Sequence, residues 1–336
     1  MHPNQPGTPA AALPWDLVAP AAARMTAAAR VLAELLDGGQ RTRALLPFAA
    51  ELHRDWGYTP RIRPGLPLRA MRDDQAAACW ALVEAALGPA GTAKARGVLD
   101  LEAILQAGTA RKAHRDPLNY ALAIFGRPGE GPWAWRFEGH HVSLSFTLAP
   151  GIGLAVTPHF FGANPFSGRV VPDGHGGLAG VLDGESALAF ALVQDLDRRQ
   201  LDRTLIAPEA PPDFLTRPGR ERSLAVPAGL PLSAMAEGQR ACALALLDLL
   251  FDHLHPDLAQ PIKRRTREAG TDAIHLAWAG GTTPDRLHYW RLHGPTVLVE
   301  YDRTDTDHAH SVWHDPTDPL AEDLLRTHHE TAHRPR

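Results

Sequence analysis

The sequence predicts an α+β fold with an internal tandem duplication, in which each half contains helices and a hairpin-centred antiparallel sheet. Three observations predict this fold: a short motif that occurs twice, a helical pattern that follows both occurrences, and a segment of alternating residues in each half. Internal repeats are considered first because an overlooked repeat changes the interpretation of the whole chain.

The repeated motif is GLPLRAM at residues 65–71 and GLPLSAM at residues 229–235. Each copy is followed by a glutamine, Gln75 or Gln239, and then by alanine and leucine at helical spacing. Apolar residues that recur every three or four positions form one face of an amphipathic helix. The sequence therefore predicts the same connection and the same helix in both halves.

The alternating segments, residues 133–147 and 288–302, predict strands with one apolar and one polar face. Both contain the pattern Trp-Arg followed three residues later by glycine. The pairs Glu138-Gly139 and His293-Gly294 interrupt the alternation, which is typical of a two-residue hairpin turn. Each half is therefore expected to contain one hairpin at the same place.

The predicted turns determine which side chains share a face of the sheet. In the first hairpin this register places Phe137 opposite His140 and Trp135 opposite Val142, on the apolar face. The polar faces carry Arg136, His141, Ser143 and Ser145 in the first hairpin, and Tyr289, Arg291, Thr296, Glu300 and Asp302 in the second. Such a face is either solvated or the lining of a pocket. The equivalent arginines can also be structural, each paired with a carboxylate of its own half.

Four segments are predicted along the chain. Residues 1–19 are rich in proline and alanine and predict a loose tail, without the basic stretch and apolar core of a signal peptide. Residues 20–165 and 183–325 form the two halves, and residues 326–336 form a charged tail. By analogy with other duplicated proteins, a site is expected where the halves meet.

The composition excludes several classes of protein. A formal net charge of -4 gives no case for binding a nucleic acid. No apolar run reaches the roughly 20 residues that span a bilayer, so no membrane association is predicted and the cytoplasm is the expected location. Two cysteines cannot form a disulfide scaffold, and Cys79 and Cys242 are interpreted as packing residues on equivalent helices.

A histidine-rich stretch, DHAHSVWHD at residues 307–315, predicts a metal site. On a strand, His308 and His310 project to the same face, and a His-x-His pair can place two imidazoles on one ion. A third ligand is expected from His141, Glu300 or Asp302. The alternative is a histidine-rich surface strand that binds no metal.

Several blocks of the sequence resemble a bacterial and fungal family, domain of unknown function 3500. These blocks are WAWRFEGHHVSLSFTL, TPHFFGANP, HLAWAG, HYWRLHGPTVLVEYD and HAHSVW. The resemblance implies a location for the site rather than an activity. Its distinctive polar positions match Arg136, His140, His141, Asn164, Arg291, Glu300, Asp302, His308 and His310. The family tends to have arginine at the position of His314, which makes His314 a poorer metal ligand than its spacing indicates.

Two classes of function are consistent with these residues. The first is a metal-assisted enzyme, a hydrolase or an oxidase, that binds a divalent transition metal and acts on a small anionic substrate. Its predicted metal ligands are His308 and His310, its catalytic residues are Glu300, Asp302 and His141, and its substrate-binding residues are Arg136, Arg291, His140 and Asn164. The second class is a non-catalytic protein that binds a small anion or a metal through the same residues.

Overall fold

The computed structural model describes residues 12–108 and 115–332. Its α-helices within those residues are α1 (Trp15–Leu35), α2 (Gly38–Ala44), α3 (Ala50–Arg54), α4 (Asp73–Ala86), α5 (Pro89–Gly108), α6 (Asp183–Gln194), α7 (Arg198–Thr204), α8 (Glu237–Phe251), α9 (Pro256–Glu268) and α10 (Glu322–Ala332). Its strands are β1 (Leu13–Pro14), β2 (Leu45–Leu46), β3 (Leu66–Pro67), β4 (Ala121–Gly126), β5 (Trp133–Gly139), β6 (Val142–Ala149), β7 (Gly153–Ala155), β8 (His159–Ala163), β9 (Val171–Pro172), β10 (Leu178–Ala179), β11 (Leu205–Ala207), β12 (Leu230–Pro231), β13 (His275–Gly280), β14 (His288–His293), β15 (Leu298–Asp305) and β16 (His308–His314).

Most strands belong to one mixed sheet, so the fold is α+β, as predicted. The longest path through this sheet runs β11-β13-β14-β15-β16-β8-β6-β5-β4-β2. Strands β11 to β16 on this path lie in the second predicted half, and the others lie in the first. The two sets meet where β16 pairs antiparallel with β8, and we call this pairing the seam. At the seam Ala309 lies opposite Ala163, and His310 lies opposite Gly162.

The order of elements in the first set of strands recurs in the second. Strand β4 has β2 parallel and β3 antiparallel to it, and β13 has β11 parallel and β12 antiparallel to it. Helices α2 and α7, which precede β2 and β11, have the same N-terminal cap. The side chains of Asp37 and Asp197 each accept a hydrogen bond from the backbone N–H of a glutamine three residues later. Helices α4 and α8 follow the matched motifs at equivalent places.

Both hairpins occur, but the turns lie further along the chain than the sequence predicts. In the first, Gly139 pairs with Val142 and the turn is His140-His141, so Phe137 lies opposite Leu144 rather than His140. In the second, His293 pairs with Leu298 across a loop of residues 294–297. The first register is displaced by an even number of residues, so the side chains of the paired strands keep their predicted faces. His140, predicted on the apolar face, instead lies in the turn and stacks on His141.

The two misread glycines have a packing role instead of a turn role. A Cβ on Gly139 would lie 2.0 Å from a ring carbon of Tyr120, and one on Gly294 would lie 2.6 Å from the side chain of Ile274. Each glycine therefore lets a neighbouring side chain approach the backbone at the end of a strand. The left-handed backbone of the first turn is taken by His141, whose φ is 65°.

The apolar side of the hairpins packs into the hydrophobic core. Trp135, Phe137 and Val142, predicted on the apolar face, are buried in this core together with Trp133, Leu144, Trp290, Val297 and Val299. The polar face is also covered, because long loops cross it and place Trp56, Tyr58 and Phe214 against Phe160 of β8 and Val312 of β16. The polar residues of the hairpins are thus enclosed rather than solvated.

The ends of the chain differ in part from the prediction. Helix α1 begins at Trp15 and Leu13 is buried, so regular structure starts inside the segment predicted to be a tail. Residues 1–11 lie outside the described part of the chain. Helix α10 begins at Glu322 and continues into the predicted charged tail. None of the described helices is long and apolar enough to cross a membrane.

Candidate metal centre

The centre is built on the seam. In the ladder of strands, Asp302 of β15 lies opposite His310 of β16, which lies opposite Gly162 of β8. Residues that are directly opposite share a face of the sheet. The row therefore presents a carboxylate, an imidazole and a position without a side chain side by side on the polar face. His308, two residues before His310, projects to the same face.

His141 enters this face from the turn of the first hairpin. Its backbone N–H donates to the carbonyl of Tyr58 and its carbonyl accepts from the N–H of Gly162. Its imidazole covers Gly162, where an added Cβ would lie 2.7 Å from the ring carbon Cγ. Gly162 thus makes the space in which the His141 ring lies against the seam.

The three imidazoles converge. The Nε2 atoms of His141 and His308 are 2.8 Å apart, which requires one of them to carry the proton that the other accepts. One nitrogen from each of His141, His308 and His310 lies within 4.8 Å of the other two. Ligands at roughly 2.0–2.1 Å from a tetrahedral zinc ion are about 3.4 Å apart. Small side-chain movements would therefore place all three nitrogens on one ion.

The other nitrogen of His310 is held by carboxylates. Its Nδ1 lies 3.1 and 3.2 Å from the two oxygens of Asp302 and 3.6 Å from Asp213. Its Nε2 is buried and has no hydrogen-bond partner among the described residues. In metal sites a carboxylate commonly accepts from one imidazole N–H and so directs the second nitrogen to the ion. His310 has this arrangement.

The electrostatic environment differs among the three histidines. Burial lowers the pKa of His141 well below its usual value, and the neighbouring histidines lower it further. Burial and then His310 lower the pKa of His308 to about 4. Burial acts in the same direction on His310, but Asp302 and Asp213 outweigh it and raise its pKa to about 9. Without an ion, one imidazolium therefore lies beside two neutral imidazoles.

Both halves contribute the walls of the centre. The Tyr58 ring packs edge-on against His310 at a centroid distance of 5.2 Å, and its hydroxyl donates to Asp213 at 2.5 Å. Phe214 also contacts the His310 ring, at 5.9 Å, and its backbone N–H donates to Asp302 at 2.8 Å. Tyr58 and Phe214 belong to the loops that cross the polar face. Neither residue is predicted from the sequence, because loops have no periodic pattern.

His140 lies beside the three imidazoles without joining them. Its ring stacks on that of His141 with 3.8 Å between centroids. Its Nδ1 is 2.6 Å from Glu102 of α5 and 2.8 Å from Nη1 of Arg115. Glu102 and Arg115 were not identified from the sequence, because neither belongs to a motif and only the fold brings them to the hairpin turn.

Arg136, predicted to bind substrate, has a structural position. Its guanidinium lies 3.2 Å from Glu138 and donates to the carbonyls of Leu52 and His53, both at 3.1 Å. The side chain is 3% exposed, so no donor is directed to an open space. Arg136 therefore fixes a covering loop to the hairpin. This matches the structural alternative that the sequence left open.

Arg291 and Glu300 lie together in the second hairpin, away from the three imidazoles. Glu300 accepts from the backbone N–H groups of Leu215 and Thr216, at 2.8 and 2.9 Å, from the Thr216 hydroxyl and from the Tyr289 hydroxyl. These four donors occupy the hydrogen-bond acceptor sites of the Glu300 carboxylate. Arg291 is buried beside Tyr289, with a 3.5 Å contact to its hydroxyl. Glu300 therefore holds the loop that carries Phe214.

Asn164 and His314 are at the two ends of the seam. Asn164 follows β8 and precedes Pro165 through a cis peptide bond. The side chain of Asn164 has no hydrogen bond to another described residue. His314 is fully buried at the end of β16, and its Nε2 is 3.2 Å from the carbonyl of Thr216. His314 therefore lies at the opposite end of β16 from His308.

Fold and centre together define an α+β protein with a buried cluster of histidines where its two sets of strands meet. The family model described as a protein of unknown function (DUF3500) matches residues 19–319, and the chain belongs to this family. No curated protein and no solved structure matches the chain.

Proposed function

We propose that the protein is a metal-dependent enzyme in which His141, His308 and His310 bind one divalent transition-metal ion. The observation that carries this proposal is the convergence of three imidazole nitrogens within 4.8 Å. The buried Nε2 of His310 supports it, because this atom has no hydrogen-bond partner in the described part of the chain, and an unsatisfied polar atom in the interior has a free-energy cost that an ion would remove.

The ligand set favours a catalytic ion over a structural one. Structural zinc sites have four protein ligands, whereas catalytic sites have three and an open position. Three neutral imidazoles would also leave the full positive charge of the ion in place, which favours an anionic substrate. Such an ion can polarise a substrate oxygen, lower the pKa of a water molecule or exchange electrons.

Two neighbouring groups would serve the centre in different ways. Asp302 would hold the Nδ1–H of His310 and fix the direction of its ring. Tyr58 and Asp213 form a hydrogen-bonded pair beside His310, and Asp213 is partly exposed, so this pair can exchange a proton with solvent. The reaction class is a hydrolysis or an oxidation of a small anionic molecule.

The second candidate is a protein that binds a metal or an anion without catalysis. The position of Glu300 favours this second candidate. Glu300 was predicted to be catalytic, but its carboxylate already accepts four hydrogen bonds and so is not available to a substrate. A bound ion that exchanges no ligand with small molecules would support this candidate.

We also infer that the chain is an internal tandem duplication. The matched sequence motifs, the equivalent pairing of β2 and β3 with β4 and of β11 and β12 with β13, and the equivalent helix caps support this inference. The site would then have diverged between copies, since the second hairpin has a four-residue loop where the first has His140-His141.

Elemental analysis of the protein purified without a histidine tag tests the metal proposal. We expect about one transition-metal ion per chain and its loss when His308 and His310 are both replaced by alanine. His175→Ala is the matched control, because His175 is exposed in a loop, and it should retain the ion. If the untagged wild-type protein neither contains an ion nor binds added zinc or cobalt, the proposal is wrong.

A milder variant separates loss of the ion from loss of folding. Asn in place of Asp302 keeps an oxygen that can accept from the N–H of Phe214 but removes the negative charge beside His310. We expect Asp302→Asn to fold and to bind zinc roughly 10- to 100-fold more weakly. Unchanged zinc affinity in a folded Asp302→Asn protein would count against His310 as a ligand.

A further inference from the structure

We propose that Arg115 binds the carboxylate of a small carboxylic-acid substrate beside the three-histidine centre. This inference rests on the proposed function, because it assigns the substrate class of the same site. In this proposal Arg115, rather than Arg136 or Arg291, is the residue that binds the anion.

The position of Arg115 connects it to the centre. Its Nη1 lies 2.8 and 3.0 Å from the two ring nitrogens of His140. The His140 ring stacks on His141 at 3.8 Å, and His141 contacts His308. The guanidinium is therefore separated from the proposed ligands by the thickness of one imidazole ring. A small molecule could contact both the ion and Arg115.

The other arginines near the turn are already paired. Arg61, Arg63 and Arg136 each form an ion pair with Glu138, at distances of 3.0 to 3.2 Å. Arg63 also donates to the carbonyl of Gly139 at 2.8 Å. These guanidinium groups hold the loop of Tyr58 against the hairpin, so they are not available to a ligand.

Arg115 is less completely paired. Its ion-pair partner is Glu102, and the distance between them is 3.5 Å, longer than a good charge-assisted hydrogen bond. Its side chain is 19% exposed. Its Nε and Nη2 have no acceptor among the described residues. A planar guanidinium binds a carboxylate through two parallel hydrogen bonds.

The surrounding charges favour a carboxylate over a phosphate. Glu102 lies against His140 on one side of the centre, and Asp302 and Asp213 lie against His310 on the other. These carboxylates would repel a dianion more strongly than a monoanion. A single guanidinium and one divalent ion match a monoanionic carboxylate.

Binding of acetate and of inorganic phosphate to the full-length, cobalt-loaded protein tests this inference. The visible spectrum of cobalt reports a ligand that reaches the ion, and calorimetry reports the affinity. We expect acetate to bind the wild type more tightly than phosphate does. In Arg115→Ala, acetate affinity should fall by roughly 10- to 100-fold, the usual range for a lost charge-assisted interaction, while cobalt affinity is unchanged. Arg115→Lys should recover part of the affinity.

The matched control is Arg127→Ala, because Arg127 is an exposed loop arginine with a partner three residues away. It should bind acetate like the wild type. If acetate affinity is the same in Arg115→Ala as in wild type, or if phosphate binds more tightly than acetate, the inference is overturned. A wild-type protein that contains no ion and binds neither zinc nor cobalt overturns the proposed function instead. Dependence of acetate binding on Arg115 in that metal-free protein would still support the anion site.

Discussion

At the scale of single residues, the centre depends on one position that has no side chain. Gly162 lies directly opposite His310 on the seam, and the imidazole of His141 occupies the space above it. Three strands and a turn are needed to bring these residues together. A sequence pattern can indicate that His308 and His310 share a strand face, but it cannot indicate that a glycine from another strand admits the third ring.

Substitution of Gly162 by alanine should displace His141. The added Cβ would lie 2.7 and 2.9 Å from two ring carbons of His141, closer than Cβ atoms approach other atoms in proteins, so the ring must move away. We expect zinc affinity, measured by calorimetry, to fall by at least roughly 10-fold, because misplaced ligands lose most of their contribution. Gly238→Ala, at a helix position with open space around it, is the control and should bind zinc normally. Equal affinities would show that His141 is not required for binding.

At the scale of elements, the sequence predicted the hairpins and their faces but not their turns. Alternation specifies a face because its period is two, and a displacement by an even number of residues leaves the faces unchanged. The X-Gly pairs predict turns at these positions, but Gly139 is in β5 and its lack of a side chain makes room for the ring of Tyr120. Close packing and turn formation both select glycine, so the residue type alone does not distinguish them.

This distinction gives a stability prediction. In Gly139→Ala the new methyl group would overlap the Tyr120 ring, and overpacking of this kind typically costs about 1–3 kcal/mol in the free energy of unfolding. Gly38→Ala, near the start of α2 with nothing close to its Cβ, should change stability by no more than about 0.5 kcal/mol. Urea unfolding of the two variants measures both values. A neutral Gly139→Ala would contradict the packing role.

The loops that cross the polar face are the elements that the sequence described least well. They supply Tyr58, Asp213 and Phe214, and they use the buried carboxylates Glu138 and Glu300 as anchors. Such contacts join residues far apart in the chain, and no local pattern encodes them. The structure therefore brings together the histidines that the sequence predicted for the site, which lie on strands and turns. The predicted site was incomplete about the residues that enclose them.

At the scale of the whole molecule, many histidines are buried without charge. Burial lowers the pKa of His159 to about 3, and that of four others to about 4: His53, His288, His293 and His314. In the unfolded chain these groups bind a proton near pH 6.5. Between pH 6.5 and 4 the unfolded state therefore binds more protons than the folded state, so stability decreases as the pH falls.

His159 allows this acid sensitivity to be measured. It is buried, and neither ring nitrogen has a hydrogen-bond partner among the described residues. We expect the free energy of unfolding of the wild type to fall steeply between pH 6.5 and 4. In His159→Asn the slope should be smaller by about 1.4 kcal/mol per pH unit, the contribution of one proton. His175→Asn, at an exposed position, should leave the slope unchanged. Parallel pH profiles for the wild type and His159→Asn would contradict this assignment.

A metal ion bound at the seam would also make the two sets of strands harder to pull apart. His141 and the strand β8 come from one set of strands, whereas His308 and His310 come from the other. Within the described residues the two sets are joined by the ladder between β8 and β16, which is five residue pairs long. An ion held by all three imidazoles would cross-link the two sets at their junction. Its binding free energy would add to the work needed to separate them. A pulling force applied across the seam would then meet greater resistance in the loaded protein than in the chelated one, and proteolytic cleavage between the halves would leave two fragments that the ion keeps together.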